Sequence, residues 1–257
     1  MTSSTIGIIG LGYVGLPLSL QFARTGSVVL GFDIDPEKTT ALMESRSYIL
    51  HIPAEAVREQ REAGRFAATT DFSRASECEA LIICVPTPLA RHRDPDLTYV
   101  LNTGKAIAPH LRPGQLVVLE ATTYPGTTDT ELHEVLEAGS GLKAGTDFHL
   151  AFSPEREDPG NPQSDVAHIP KIVGGLTPEC QKHALAVYGR AIKTLVPVES
   201  CRVAEAVKLT ENIFRAVNIA MVNELRSSMP RWASTSGMSS RPRRRSPSAS
   251  CPSTPAP

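Results

Sequence analysis

The stretch that decides the fold is Ile6-Gly7-Ile8-Ile9-Gly10-Leu11-Gly12-Tyr13-Val14-Gly15, in which Gly-x-Gly-x-x-Gly directly follows a short apolar run. Gly10 lets the chain turn sharply out of a strand, and Gly12 lets the backbone approach a pyrophosphate. Gly15 lets the following helix pack closely on the sheet, with its N-terminus facing the phosphates. The stretch therefore predicts a dinucleotide site.

A second apolar run, Val28–Phe32, ends in Asp33, about where the ribose hydroxyls of NAD would lie. The glycines could also simply make a tight strand-to-helix turn without binding a ligand. That interpretation is weaker, because the turn, the helix and the acid all fall within one βαβ-sized unit. FAD and NADP are the alternative cofactors. An NADP site prefers a basic residue beside the 2′-phosphate, and Asp33 would repel that phosphate, so NAD is favoured.

Composition excludes several classes of protein. The 257 residues allow one large or two ordinary domains. A net charge of −1 argues against a nucleic-acid partner. The chain has no apolar window of membrane-spanning length and no signal peptide at its start, so we expect a cytoplasmic protein without a membrane partner. The five cysteines lack metal-ligand spacing, and we expect no metal.

Apolar runs of strand length alternate with helix-like segments as far as about Leu225. This alternation predicts an α/β fold, a Rossmann-like doubly wound parallel sheet followed by a long central helix. The predicted strands are Ile6–Ile9, Val28–Asp33, Ala80–Val85, Leu116–Glu120, His149–Phe152, Ile172–Val173 and Thr194–Val196. The predicted helices are Val14–Arg24, Pro36–Ser45, Val100–His110, Thr128–Glu137, Pro178–Ala191 and Ser200–Leu225. We assign 1–198 to the dinucleotide-binding domain and 199–225 to the start of a central helical domain.

The segment 226–257 is dominated by Ser, Pro and Arg and shows almost no apolar periodicity. Such a composition cannot build a packed core, and it predicts a disordered C-terminal tail. Back-translated with suitable codons and read in a neighbouring frame, residues 231–257 can encode a segment with the pattern of a folded helix and loop. We therefore interpret the tail as a frameshift product, which sequencing the gene around the Leu225 codon would test.

Two strand ends carry threonines at the carboxyl edge of the predicted sheet, where ligands of open α/β sheets bind. Thr87, within Pro86-Thr87-Pro88, can donate its hydroxyl to a cofactor, although two prolines also simply terminate a strand. Thr122 lies closer to the end of the next strand than Thr127, which also suits a helix N-cap. We expect Thr122 on the nicotinamide side.

Charged side chains gather at the same edge. Glu155 is the acid nearest the end of the strand His149–Phe152, and a carboxylate there can act as a general base or hold a water. Clustered loop charges are also commonly just solvated. Lys208 and Asn212 lie at i and i+4 on one helical face and suit a developing alkoxide, although such pairs are also common as surface residues.

Taken together, six motifs resemble the UDP-glucose/GDP-mannose dehydrogenase family over about residues 6–225. They are Gly10-Leu11-Gly12-Tyr13-Val14-Gly15, Asp33-Ile34-Asp35-Pro36-Glu37-Lys38, Cys84-Val85-Pro86-Thr87-Pro88, Thr122-Thr123-Tyr124-Pro125-Gly126-Thr127, Ser153-Pro154-Glu155-Arg156 and Lys208-x-x-x-Asn212. Within the family, the stretches 48–53 and 153–162 look most like the UDP-N-acetyl-D-glucosamine 6-dehydrogenases that feed surface-polysaccharide synthesis.

The resemblance implies an NAD-dependent, two-step oxidation of the sugar C6 alcohol of a UDP-sugar, through an aldehyde to the carboxylate. It implies that the glycine turn, including Tyr13 and Val14, binds the cofactor and that Asp33 and Lys38 hold the adenosine ribose. Thr87 and Thr122 would line the cofactor cleft.

For the chemistry, the resemblance implies that Glu155 serves in acid/base catalysis or water activation, with Lys208 and Asn212 stabilising the oxyanion and Thr122 beside the reacting atoms. The family also forms homo-oligomers through its central helices.

The chain departs from the family at one decisive point. The family's nucleophile is a cysteine in a Gly-Gly-x-Cys context beyond the long helix, and this sequence contains no such motif. Cys251 lacks the glycines, and the UDP-binding domain is missing as well. The neighbouring-frame reading of 231–257 resembles the family segment after the long helix. We expect an inactive fragment, and the rival interpretations are an NAD-binding module without turnover and a β-hydroxyacid dehydrogenase.

Overall fold

The structure, a computed structural model, describes residues 5–88, 95–155 and 169–235. Within them one sheet has the strand order β3-β2-β1-β4-β5-β6-β7-β8. The strands are β1 (Thr5–Ile9), β2 (Val28–Phe32), β3 (Phe66–Thr69), β4 (Cys78–Ile83), β5 (Leu116–Leu119), β6 (His149–Phe152), β7 (Lys171–Gly175) and β8 (Leu195–Val198). The α-helices are α1 (Gly15–Arg24), α2 (Pro36–Met43), α3 (Ala54–Glu62), α4 (Thr98–Ile107), α5 (His133–Ser140), α6 (Pro178–Tyr188) and α7 (Cys201–Thr235).

The sheet is doubly wound, as predicted. In β1, Ile8 pairs in parallel with Gly31 of β2 on one side and with Ile82 of β4 on the other. The strand order therefore reverses between β1 and β4, and in open α/β sheets ligands bind outside the carboxyl ends of the strands at such a reversal. The glycine turn leaves the sheet at this point.

The predicted doubly wound parallel sheet is confirmed, and one pair departs from the parallel pattern, because β6 and β7 run antiparallel. Parallel neighbours need a crossover, usually a helix, whereas antiparallel neighbours do not. The predicted elements include no helix between these two strands, which was the available signal. The sheet is thus mixed but mostly parallel.

Helices cover both faces of the sheet, and an apolar core lies on each side. Strand β4 contributes side chains to both cores. Ile82 packs in the cluster that includes residues of α1, α3 and α6, whereas Leu81 and Ile83 pack in the cluster that includes residues of α4 and α5. A strand buried on both faces reads as a continuous apolar run, which is why the central strands were recognisable in the sequence.

Two elements escaped the sequence analysis. Strand β3 is Phe-Ala-Ala-Thr at the sheet edge and is only partly buried, so it lacks the apolar run of a central strand. Helix α3 is strongly polar and buries only Ala56, Val57 and Gln60. Both elements depend on their neighbours more than on their own composition.

Helix α7 continues past its predicted end at Leu225 to Thr235. Propagation of an existing helix adds one hydrogen bond per residue, so the loss of apolar periodicity does not by itself end it. The rest of the predicted disordered tail, 236–257, lies outside the described residues, and the domain boundaries proposed from the sequence stay predictions. The chain divides into two compact units, 1–211 and 212–257. Among the described helices, none has the length and apolar character that a bilayer crossing requires.

Candidate functional site

The glycine turn between β1 and α1 is shaped by two close approaches of the backbone. Gly10 has a φ of +91°, and a Cβ on it would lie 2.8 Å from the carbonyl oxygen of Cys84 at the end of β4. A Cβ on Gly15 would lie 1.9 Å from the carbonyl oxygen of Gly10. Only glycine satisfies both positions, so the tight turn is built into the fold.

Gly12 lies between these two positions and is different. A Cβ on Gly12 would meet no heavy atom within 4 Å, and its φ is not in the left-handed region. Within the described residues, the backbone N–H groups of Gly12, Tyr13 and Val14 have no backbone acceptor. Open space beside free N–H donors at the start of a helix fits a bound diphosphate, which gives the glycine at this position a physical reason.

Asp33 follows β2 and is almost fully buried beside the glycine turn. Its Oδ2 accepts from the N–H of Leu11 at 2.9 Å, and its Oδ1 accepts from the N–H of Asp35 at 3.0 Å. The ammonium of Lys38 lies 3.7 Å from Oδ2. Each carboxylate oxygen has two acceptor positions, so both retain one for the hydroxyls of a ribose.

The two predicted threonines meet at the ends of β4 and β5. The Thr87 hydroxyl donates to the backbone carbonyl of Thr122 at 2.7 Å. We expected Thr87 to donate to a cofactor. Its proton is already donated here, which leaves its oxygen as an acceptor, and the cofactor contact stays a prediction. The Thr122 side chain is exposed, whereas that of the neighbouring Thr123 is buried.

Glu155 and Lys208 are far apart in sequence and come together in space. The ammonium of Lys208 donates to the backbone carbonyl of Glu155 and lies 3.5 Å from its Oε2. Both side chains are largely buried, with 9% of Lys208 and 17% of Glu155 exposed. We paired Lys208 with Asn212 from the sequence; Asn212 belongs to the second unit, and its part in the site stays a prediction.

Glu205, a fully buried carboxylate on α7, was not among the predicted site residues. It accepts from the N–H of Gly126 at 2.6 Å, and from the N–H and hydroxyl of Thr128 at 3.0 Å and 2.7 Å. Burial raises the pKa of Glu205 above its ordinary value. This residue ties the helix that carries Lys208 to the turn that follows Thr122. The indication in the sequence was that Glu205 lies three residues before Lys208, which places both on the same face of the predicted helix.

A second missed cluster surrounds Glu120, directly after β5. Its carboxylate accepts from the Lys171 ammonium and, at 2.6 Å, from the Tyr188 hydroxyl. Lys171 also lies 5.1 Å from the centre of the Tyr188 ring. Burial first, and then Glu120, raise the pKa of Tyr188 well above its ordinary value, so the phenol stays a donor. The cluster anchors the strand end from which Thr122 emerges.

The four cysteines among the described residues, Cys78, Cys84, Cys180 and Cys201, are all buried. Burial raises the pKa of Cys78 to about 12 and raises that of Cys201 as well. A buried thiol with a raised pKa carries no reactive thiolate near neutral pH. Cys251 lies outside the described residues.

Comparison with known proteins places this geometry in a family. The sequence model of the UDP-glucose/GDP-mannose dehydrogenase family, NAD binding domain, matches residues 4–192. The chain belongs to this family and carries its NAD-binding domain, so the predicted family and the predicted cofactor are confirmed. The family includes NAD-dependent UDP-sugar 6-dehydrogenases.

Two relatives show how much of a whole enzyme the chain represents. The UDP-N-acetyl-D-glucosamine 6-dehydrogenase of Pseudomonas aeruginosa is 37% identical over 226 residues, 88% of this chain and 53% of the relative. The solved UDP-D-ManNAc dehydrogenase of Pyrococcus horikoshii is 35% identical with a TM-score of 0.79, over 86% of this chain and 52% of that one. The chain thus spans about half the length of these relatives.

A more distant likeness bears on the rival enzyme class. The 3-hydroxyisobutyrate dehydrogenase of Mycobacterium tuberculosis has a TM-score of 0.61 and 19% identity, over 89% of this chain and 66% of that one. At this identity the likeness concerns the fold alone. The family match therefore decides the class.

Proposed function

We propose that this chain is the NAD-binding half of an enzyme that oxidises the C6 alcohol of UDP-N-acetylglucosamine to the uronic acid, for polysaccharide synthesis in the cytoplasm. The observation that carries the proposal is that the free amides of Gly12–Val14 directly follow Leu11, whose N–H donates to the buried Asp33 carboxylate at 2.9 Å. The choice of sugar rests on the resemblance of the stretches 48–53 and 153–162 to UDP-N-acetyl-D-glucosamine 6-dehydrogenases, two of which are 37% and 38% identical to this chain.

Bound NAD supplies the acceptor for a hydride from the sugar carbon. The amides of Gly12, Tyr13 and Val14 hold its diphosphate, and Asp33 accepts from the hydroxyls of the adenosine ribose. Lys38 neutralises part of the Asp33 charge from 3.7 Å without entering the turn. These contacts select NAD over NADP, because a 2′-phosphate would meet the Asp33 carboxylate.

Glu155 and Lys208 provide the acid/base chemistry of the proposal. An ammonium that is only 9% exposed interacts strongly with negative charge that develops on a sugar oxygen. Lys208 has three donors, and its bond to the Glu155 carbonyl leaves others for that oxygen. The Glu155 carboxylate receives the proton of the alcohol or of an attacking water. Asn212 is the proposed second donor.

We further propose that this chain alone binds NAD without producing uronic acid. The family's second oxidation runs through a cysteine, and the sequence contains no Gly-Gly-x-Cys. The described cysteines are buried, so none replaces that nucleophile. The UDP-sugar site, the turnover and the homo-oligomer are therefore assigned to a whole protein of the relatives' length.

Calorimetric titration with NAD tests the proposal. We expect wild-type chain to bind NAD, and Asp33→Ala to weaken binding by a factor of about 10 or more, as for a lost charge-assisted hydrogen bond. Glu37→Ala is the control, because it removes the same charge from an exposed position in the first turn of α2. No heat from NAD with folded wild-type chain, or equal affinities of both variants, would contradict the proposal. NADH release with UDP-N-acetylglucosamine at the rate of full-length relatives would contradict the absence of turnover.

A further inference from the structure

A segment outside the β1-α1-β2 unit holds the glycine turn from the side. The Leu11 peptide is fixed at both ends, since its N–H donates to Asp33 and its carbonyl accepts from the Tyr48 hydroxyl at 2.5 Å. Two residues further along, the Tyr13 ring stacks on the His51 ring, with centroids 6.0 Å apart and planes 23° from parallel. We call residues 48–52 the clamp segment.

The two contacts of the clamp segment bracket Gly12. Leu11 and Tyr13 each have a partner on it, whereas Gly12 between them faces open space. The segment is therefore fixed to exactly the residues that flank the proposed diphosphate position, and it leaves that position free.

Two buried isoleucines hold the clamp segment against the apolar core. Ile49 and Ile52 are buried in the same apolar core as Leu16 of α1. Leu50, between them, points into solvent and is fully exposed. These two buried side chains fix the segment to the core at two points, while Tyr48 and His51 reach the turn.

Holding a glycine turn in one conformation before a ligand binds raises the affinity for that ligand. Glycine loses more conformational freedom on ordering than any other residue, so a turn with three glycines is costly to hold in one shape. If neighbouring residues already hold the turn, a ligand does not have to order it on binding, and affinity rises. Burial and the carboxylates of Asp33 and Asp35 raise the pKa of Tyr48, which keeps its hydroxyl protonated as a donor to Leu11.

We propose that Tyr48 and His51 are positioning residues for NAD, which preorganise the amides of Gly12–Val14 for the diphosphate through Leu11 and Tyr13. This inference rests on the proposed NAD site and deepens it. It assigns a binding role to residues that would not touch the cofactor themselves.

The test compares ligands with and without a diphosphate. Tyr48→Phe removes one oxygen, and we expect its Kd for NAD and for ADP to rise about fivefold, the range of one net hydrogen bond. Its Kd for adenosine should stay within about twofold of wild type, because Asp33 keeps its bond to the Leu11 N–H. Tyr99→Phe is the matched control, since Tyr99 is half exposed on α4 and has no hydrogen bond among the described residues.

Substitutions of His51 test the proposal independently of Tyr48. His51→Ala should weaken NAD and ADP binding, and His51→Phe should restore it, because a phenyl ring can still stack on Tyr13. The melting temperature without ligand should match wild type in both variants, since His51 is exposed.

The outcomes separate this inference from the proposed function. A wild-type chain that binds no NAD would overturn both. Wild-type binding together with unchanged ADP affinity in Tyr48→Phe and His51→Ala would overturn the clamp alone. A proportional loss for adenosine and ADP would also overturn it, since a general loss of structure does not discriminate between the two ligands.

Discussion

The buried ion pair between Lys171 and Glu120 makes the sharpest prediction for stability. In Lys171→Met, the aliphatic stem is kept but the Glu120 carboxylate, in a residue only 3% exposed, loses its cation. The Tyr188 hydroxyl remains as a partner at 2.6 Å and cannot compensate a full charge. Breaking one side of a buried pair costs about 3–5 kcal/mol. For a chain of this size, the melting temperature should fall by roughly 10 °C.

Urea unfolding followed by circular dichroism measures this loss. Lys182→Met is the matched control, since Lys182 pairs with Glu179 on α6 but its side chain is 75% exposed. We expect this control to change the free energy of unfolding by less than about 1 kcal/mol. In the double variant Lys171→Met/Glu120→Gln the buried charge is gone and the amide oxygen still accepts from Tyr188. Its stability should return to within about 2 kcal/mol of wild type.

Either of two results would contradict this prediction. One is a Lys171→Met chain that unfolds at the same urea concentration as Lys182→Met, which would mean that water reaches Glu120. The other is a double variant no more stable than the single one, which would place the loss in packing instead of in the uncompensated charge.

Three further predictions concern the glycine turn, Glu205 and pH. Gly12→Ala should leave the melting temperature unchanged but weaken NAD binding in calorimetry, whereas Gly15→Ala should unfold the chain, because its Cβ would lie 1.9 Å from a carbonyl oxygen. Glu205→Gln should lower the free energy of unfolding by about 2 kcal/mol in urea titration, since an amide cannot accept from all the donors that surround the carboxylate. Burial, and then His183 stacked at 3.7 Å, lower the pKa of His149, so the unfolded chain takes up the proton first. The urea midpoint should therefore be highest above about pH 6.5 and fall as the pH drops below that value, and His149→Gln should reduce this dependence.

Local sequence patterns were sufficient to predict most strands and helices of the fold. The glycine turn, the double-sided burial of β4 and the acid after β2 can be recognised from neighbours in the chain, because turn geometry and strand periodicity act over a few residues. Strand β3 and helix α3 lacked such a pattern. The antiparallel direction of β7 depended on the pairing of whole strands, and its signal was the lack of a predicted helix between two strands, not a pattern within either strand.

The sequence by itself determined the glycine turn and the acid at which we propose that a dinucleotide binds, since Gly10, Gly15 and Asp33 belong to one short unit whose conformation is local. Only the tertiary structure decided which groups surround that place. Tyr48 reaches Leu11 across 37 residues, Glu155 meets Lys208 across 53, and Glu120 meets Tyr188 across 68. Such contacts follow from the order in which strands lie side by side. That order is set by the burial of the whole sheet between its helices, so no single motif contains it.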